Sequence, residues 1–226
     1  MGQSRLAALA SAVGSITLVA CALAMTALSV RRQFAPPHAR STERFVAQPD
    51  WANYATEGRR IGGPTAKVVM VEFADFQCPA CRELEVMLRA TRRRLGADFA
   101  LVYRHYPLRI HPQAEPAALA SECAGRQGRF GEMHDLLFDQ SDSLGKIGWR
   151  RLASDAGVSD LATFDRCMLD SEVVATVRRD ADAARHLGAT GTPTFLINGV
   201  RHTGTIAHGI LDSLVDEAAR VHKPRP

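Results

Sequence analysis

The order of elements read from the sequence is β-α-β, then a block of helices, then β-β-α. It predicts an α/β fold with a mixed central sheet and a helical insertion, preceded by an N-terminal transmembrane or signal segment. Three observations carry this reading. Val68 to Phe73 is β-branched and nearly continuous in apolar residues, the pattern of a buried strand. Residues 113–187 repeat apolar positions at helical spacing between glycines. Leu6 to Val30 contains no charged residue at all.

Each element follows from local chemistry. The first strand, Lys67 to Phe73, is bounded by Gly63-Pro64. From Cys81 onward Leu84, Leu88, Thr91 and Leu95 recur at helical spacing and stop at Gly96. Phe99 to Tyr103 is a second strand. The helical block divides into Gln113–Ala124, Phe130–Asp139, Gly148–Ala156, Leu161–Leu169 and Glu172–Leu187. Thr194 to Ile197 is a third strand, and Asn198-Gly199 signals a hairpin into Val200 to His202. An amphipathic helix from Ile206 to Val221 closes the chain, and no internal repeat is visible.

The organisation expected is a membrane segment at 1–32, a polar tether at 33–60 and one folded domain at 61–226. The tether carries Pro36-Pro37 and Pro49, with a short helix around Asp50 to Glu57 that places Trp51 and Tyr54 against the domain. As a helix, Leu6–Val30 spans about 37 Å, enough for a hydrocarbon core of about 30 Å. An uncleaved anchor is the preferred reading. Two alternatives stay open: cleavage after Ala22-Leu23-Ala24, and lipidation at Cys21 within Leu18-Val19-Ala20-Cys21. Arg31, Arg32, Arg40 and Arg44 follow the apolar run and mildly oppose an outward-facing domain. A folded domain is translocated despite such charges, so the extracytoplasmic placement is retained.

The composition is that of an ordinary globular domain: 226 residues, 46% hydrophobic, 23% charged. A net charge of +4 gives no strong field for an acidic partner. Arg92-Arg93-Arg94 lacks the interleaved aromatics of a nucleic-acid motif and reads as a solvated helix face. His105, His111 and His134 are isolated, so they read as capping or packing residues and no metal site is expected.

Chemistry concentrates at Cys78-Pro79-Ala80-Cys81. A cysteine at a helix N-terminus has its thiolate favoured, and the thiolate attacks disulfides. Pro79 suits the first helical turn because no amide donor is needed there. A permanent disulfide or half of a zinc site uses the same spacing, although no second C-x-x-C or paired histidines complete such a site.

Several separated motifs agree in order. Val71 to Cys81 resembles the active-site strand and helix start of DsbA-like oxidoreductases of thioredoxin fold. Tyr103-Arg104-His105-Tyr106-Pro107-Leu108, Gln127 to Asp135 and Gly191 to Gly199 continue the pattern. The resemblance spans about Ile61 to Val221. It implies a thioredoxin fold, with Cys78 as attacking thiolate and Cys81 as resolving thiol. It also implies a buried acid at Glu72 that exchanges protons with Cys81, the alternative being an edge position facing water. Thr192-Pro193 matches a cis-proline that faces the C-x-x-C and offers backbone to substrate, against a trans proline that merely ends a loop. By the same resemblance Cys123 and Cys167 pair as a structural disulfide, while two unpaired core thiols remain the alternative.

The function implied is donation of disulfides to exported proteins by a monomer. A membrane redox partner resets the site, and no cofactor, metal or nucleic acid takes part. The same site run as reductase or isomerase is the alternative, and a redox-inert binding or chaperone module a more distant one. The Pro79-Ala80 dipeptide departs from the best-known pattern, since no polar side chain between the cysteines helps hold a thiolate. A less depressed Cys78 pKa and a milder oxidant are expected.

Overall fold

The computed structural model describes residues 46–221. The membrane or signal segment expected at 1–32 lies outside these residues. Among the described residues no helix is long and apolar enough to cross a membrane. In chain order the elements are β1 (Val46–Ala47), α1 (Trp51–Thr56), β2 (Arg59–Gly62), β3 (Val68–Ala74), α2 (Pro79–Leu95) and β4 (Phe99–His105). The helical insertion follows as α3 (Ala114–Gly125), α4 (Phe130–Asp139), α5 (Trp149–Asp155), α6 (Leu161–Cys167) and α7 (Ser171–His186). The chain closes with β5 (Thr194–Ile197), β6 (Val200–Thr203) and α8 (His208–Val221).

The sheet runs β1-β6-β5-β3-β4-β2. Strands β3 and β4 are parallel, and every other neighbouring pair is antiparallel. Strand β3 is therefore interior, which is why its residues are almost all buried. One face carries Met70, Leu101 and Phe195 against Leu84 and Leu88 of α2 and Leu211 and Val215 of α8. The opposite face packs Val71, Phe73, Val102 and Leu196 against Ala184 and Leu187 around α7. A third cluster lies under the insertion, where Phe76 and Tyr103 stack with ring centres 5.0 Å apart, joined by Phe130, Phe138 and Phe164.

Two expectations are corrected. The stretch assigned to a tether up to residue 60 is folded from Val46 onward. Strand β2 pairs with β4 from Arg59↔Tyr103 to Gly62↔Ala100, β1 pairs with β6, and Tyr54 of α1 meets Phe73 edge-on at 5.9 Å. Gly199, at φ +91°, lets α1 approach the hairpin, because a Cβ there would lie 2.5 Å from the Trp51 ring. The arginine run is also not merely solvated. Arg92 is bonded to Glu85 and Asp135, while Arg94 reaches Asp212 and Asp216 on α8.

Candidate active site

The site forms where β3 hands over to α2. Cys78 is the N-cap residue, extended at ψ 120°, and Pro79 occupies the first helical position. The Cys78 amide donates to the Asp75 carbonyl at 3.0 Å, and Arg82 N–H donates back to the Cys78 carbonyl at 3.1 Å. Asp75 fixes this turn from within. Its carboxylate accepts from Gln77 N at 2.8 Å, an Asx turn, and from Leu108 N at 2.9 Å, with His111 Nδ1 2.7 Å away. Gln77 Oε1 accepts from Gln113 N, so the segment leaving β4 is tied to the same turn.

The two sulfurs occupy unlike surroundings. Both are free thiols; Cys78 is 6% exposed and Cys81 fully buried. Cys78 Sγ donates to the Thr192 carbonyl at 3.4 Å across 114 positions of sequence. The Thr192-Pro193 peptide is cis, and Thr194 beyond it pairs with Phe73, which is how β5 carries Thr192 to the cysteine. The Cys78 pKa is lowered from 9.0 to about 6. The Cys81 thiol contributes most by hydrogen-bonding the Cys78 sulfur; burial opposes it, and the Thr192 side chain (not its carbonyl) and the Cys81 and Ala80 amides add smaller lowering contributions. The Pro79-Ala80 dipeptide indeed adds no side chain to this support, and the partner thiol is the largest contributor to it. Burial first, then the same hydrogen bond and the nearby Glu72, push Cys81 well above its ordinary range.

Glu72 lies on interior strand β3, fully buried, and neither carboxylate oxygen has a hydrogen-bond partner. Burial, with a lesser contribution from the charge of Glu85, raises its pKa well above the ordinary carboxylate value. Its partner in register is Tyr103, also fully buried and with its hydroxyl unpartnered. Cys123 on α3 and Cys167 on α6 are joined by a disulfide, with Cα atoms 5.7 Å apart. The site residues singled out from sequence thus fall in two places. Glu72, Cys78, Pro79, Cys81, Thr192 and Pro193 gather at one end of the sheet, whereas the disulfide staples the insertion.

Glu85, His134 and Asp135 come within metal-ligating reach of one another. Arg92 bonds both carboxylates, at 2.7 and 3.1 Å, and Arg89 bonds Glu85 at 3.0 Å, so the donor oxygens are already matched by cations. Sequence reasoning gave no site role to Asp75, Gln77 and Tyr103, and read His111 only as a capping or packing residue. Asp two residues ahead of Gln77 is a legible Asx-turn signal. The hold of Asp75 on Leu108 and His111 is not legible, since it depends on the β4 exit folding back.

Residues 55–217 match the protein family described as Thioredoxin. A thioredoxin-like oxidoreductase from Silicibacter pomeroyi DSS-3 superposes with a TM-score of 0.61 at 28% identity, over 72% of this chain and 92% of that one. DsbA2 of Pseudomonas aeruginosa gives 0.56 at 30% identity, over 71% and 93%. Wolbachia pipientis α-DsbA1, at 0.63 and 21% identity over 72% and 91%, shares the fold. Among curated relatives, the Na(+)/H(+) antiporter NhaA 1 of Mycolicibacterium vanbaalenii is 41% identical over 142 residues, which is 62% of this chain and 23% of that protein. NhaA 3 of Salinispora tropica is 38% identical over 171 residues, 74% of this chain and 26% of that protein. The chain therefore spans about a quarter of the length of these relatives. By the family match over most of its length this chain belongs to the thioredoxin family, and the solved structures it resembles at 28 and 30% identity are a thioredoxin-like oxidoreductase and a DsbA protein.

Proposed function

We propose that the chain donates disulfides to exported proteins through the Cys78–Cys81 pair. The observation that carries this reading is the separation of the two thiol pKa values, Cys78 drawn down to about 6 and Cys81 pushed up. A thiolate stabilised at Cys78 favours the reduced pair, and a pair that is stable when reduced oxidises its substrates.

In that direction a substrate thiolate attacks Cys78 Sγ of the oxidised pair. A substrate–Cys78 bond forms, the Cys78–Cys81 bond breaks, and its electron pair leaves on Cys81. Cys81 has a raised pKa and takes a proton, for which Glu72 is the proposed donor. A second substrate thiolate then attacks the substrate sulfur and expels Cys78 as thiolate. Pro79 sets the helix start, and the Thr192-Pro193 backbone beside Cys78 is the proposed resting place for the substrate chain. The bridge between Cys123 and Cys167 is proposed as structural.

The extracytoplasmic setting is part of the proposal, since a donor of disulfides works in an oxidising compartment. A solved neighbour from Salmonella enterica is described as periplasmic. Anchoring through residues 1–32, a monomeric state and a membrane partner that reoxidises the pair complete the reading.

The reduction potential of the Cys78–Cys81 pair against a glutathione buffer tests it. A value well above about −270 mV, toward the roughly −120 mV of a strong oxidant, supports donation, and one near or below about −270 mV overturns it in favour of reduction. Cys78→Ser is expected to abolish exchange with a dithiol peptide.

A further inference from the structure

Cys81 and Glu72 are both fully buried, so a proton that crosses between them has no direct path to water. Once Glu72 has given its proton to Cys81 it is a buried carboxylate, and while the pair stays reduced a proton from solvent returns it to the neutral form that burial favours. The mouth of the site beside Cys78, itself only 6% exposed, is one way in. A second way leads through groups that the exchange reaction does not use.

Glu72 and Tyr103 are register partners on β3 and β4, so their side chains share the face toward α2 and the insertion. The Tyr103 ring meets the His134 ring edge-on, 4.9 Å between centres. His134 is fully buried; its Nε2 has no hydrogen-bond partner and lies 3.9 Å from Glu85 Oε2, while its Nδ1 is 3.0 Å from Asp135 Oδ1. Asp135 has a side chain 43% exposed. Register thus joins Glu72 to Tyr103, ring contact joins Tyr103 to His134, and the neighbouring Asp135 reaches the surface. Three of them, Glu72, Tyr103 and His134, present buried polar atoms with no partner in the protein, which is uncommon unless those atoms serve a purpose.

We propose that Tyr103 and His134 pass protons between the Glu72–Cys81 pair and solvent at Asp135, through water bound among their buried polar atoms. Glu85 is not the carrier, because Arg89 and Arg92 occupy its oxygens. Tyr103 serves without ionising: burial, followed by the charge of Glu72, raises its pKa well above 10, so its hydroxyl accepts one proton as it donates another. His134 is suited to the role because imidazole presents one nitrogen to each side.

The inference rests on the exchange reaction proposed above. It is tested on the full chain by stopped-flow opening of the Cys78–Cys81 disulfide with a monothiol peptide, in H₂O and D₂O. Tyr103→Phe and His134→Gln are expected to slow, about tenfold or more, the proton uptake that follows opening, read with a pH indicator, and to enlarge its solvent isotope effect, with the reduction potential unchanged. A purely packing role would lower thermal stability and leave the isotope effect alone. Asp135→Asn, at a partly exposed side chain, gives the same reading at smaller amplitude and decides the matter if a core variant fails to fold. Wild-type rates and isotope effects in the folded variants overturn the route. No exchange by the wild-type chain would instead overturn the functional reading itself.

Discussion

A carboxyl group with no partner at the centre of a sheet is costly to ionise, and Glu72 is such a group. Its raised pKa sets the sign of a pH effect. In the unfolded chain Glu72 ionises above about pH 4.5, whereas in the folded protein it stays neutral; stability present below that pH is lost as pH rises toward the folded value. Glu72→Gln is therefore expected to stabilise the reduced protein at pH 7. The gain over wild type should grow by about 1.4 kcal/mol per pH unit above 4.5 until Glu72 ionises in the folded state. Urea unfolding at several pH values checks this, and a pH-independent difference contradicts it. The sequence showed an acid in an apolar strand and so marked Glu72. It did not show that the Cys81 thiol would be the main support of the Cys78 thiolate, because that depends on how the two sulfurs face each other across one helical turn.

Between elements, the consequential contact is the one that fastens β2 to the insertion. Arg59 on β2 grips Glu122 of α3 through Nε and Nη2, and His105 of β4 lies 3.1 Å from the same carboxylate. Burial opposes ionisation of Glu122, but His105 and Arg59 win and hold its pKa at about 2. A depressed acid contributes stability that is present above about pH 4.5 and is lost as pH falls toward 2. Glu122→Ala is expected to cost about 3 kcal/mol at pH 7, because it strands the buried His105 and half-buried Arg59. Its deficit against wild type should shrink below pH 4 as the wild type loses the same pair. Chemical denaturation from pH 2 to 7 measures both. The β5–β6 hairpin was legible from Asn198-Gly199, whose turn chemistry is local. Strand β2 was not: four residues carry too little alternation, and the partner that makes them a strand begins some forty positions later.

For the molecule as a whole, the insertion is stapled at a distance. The Cys123–Cys167 bridge closes a separation of 44 residues between α3 and α6. Chain-entropy arithmetic gives such a loop about 4 kcal/mol, an upper-end value. Cys123→Ala together with Cys167→Ala is expected to lower unfolding free energy by about 2–4 kcal/mol and leave the Cys78–Cys81 potential in place. Calorimetry and a redox titration on the same protein separate the two; a shifted potential would show that the staple also shapes the site. The sequence alone determined the α/β class, the helical insertion and the Cys78–Cys81 pair, because apolar periodicity, glycine stops and C-x-x-C spacing are local patterns; the pairing of Cys123 with Cys167 followed only from the family resemblance. It could not determine that residues 46–62 complete the sheet, or that Asp75 binds the exit of β4. Nor could it determine that the Tyr103 and His134 rings meet edge-on, with Tyr103 in register with Glu72. Those facts depend on strand register and on helices packing across the sheet, where residues far apart in sequence meet and burial decides which of them hold their protons.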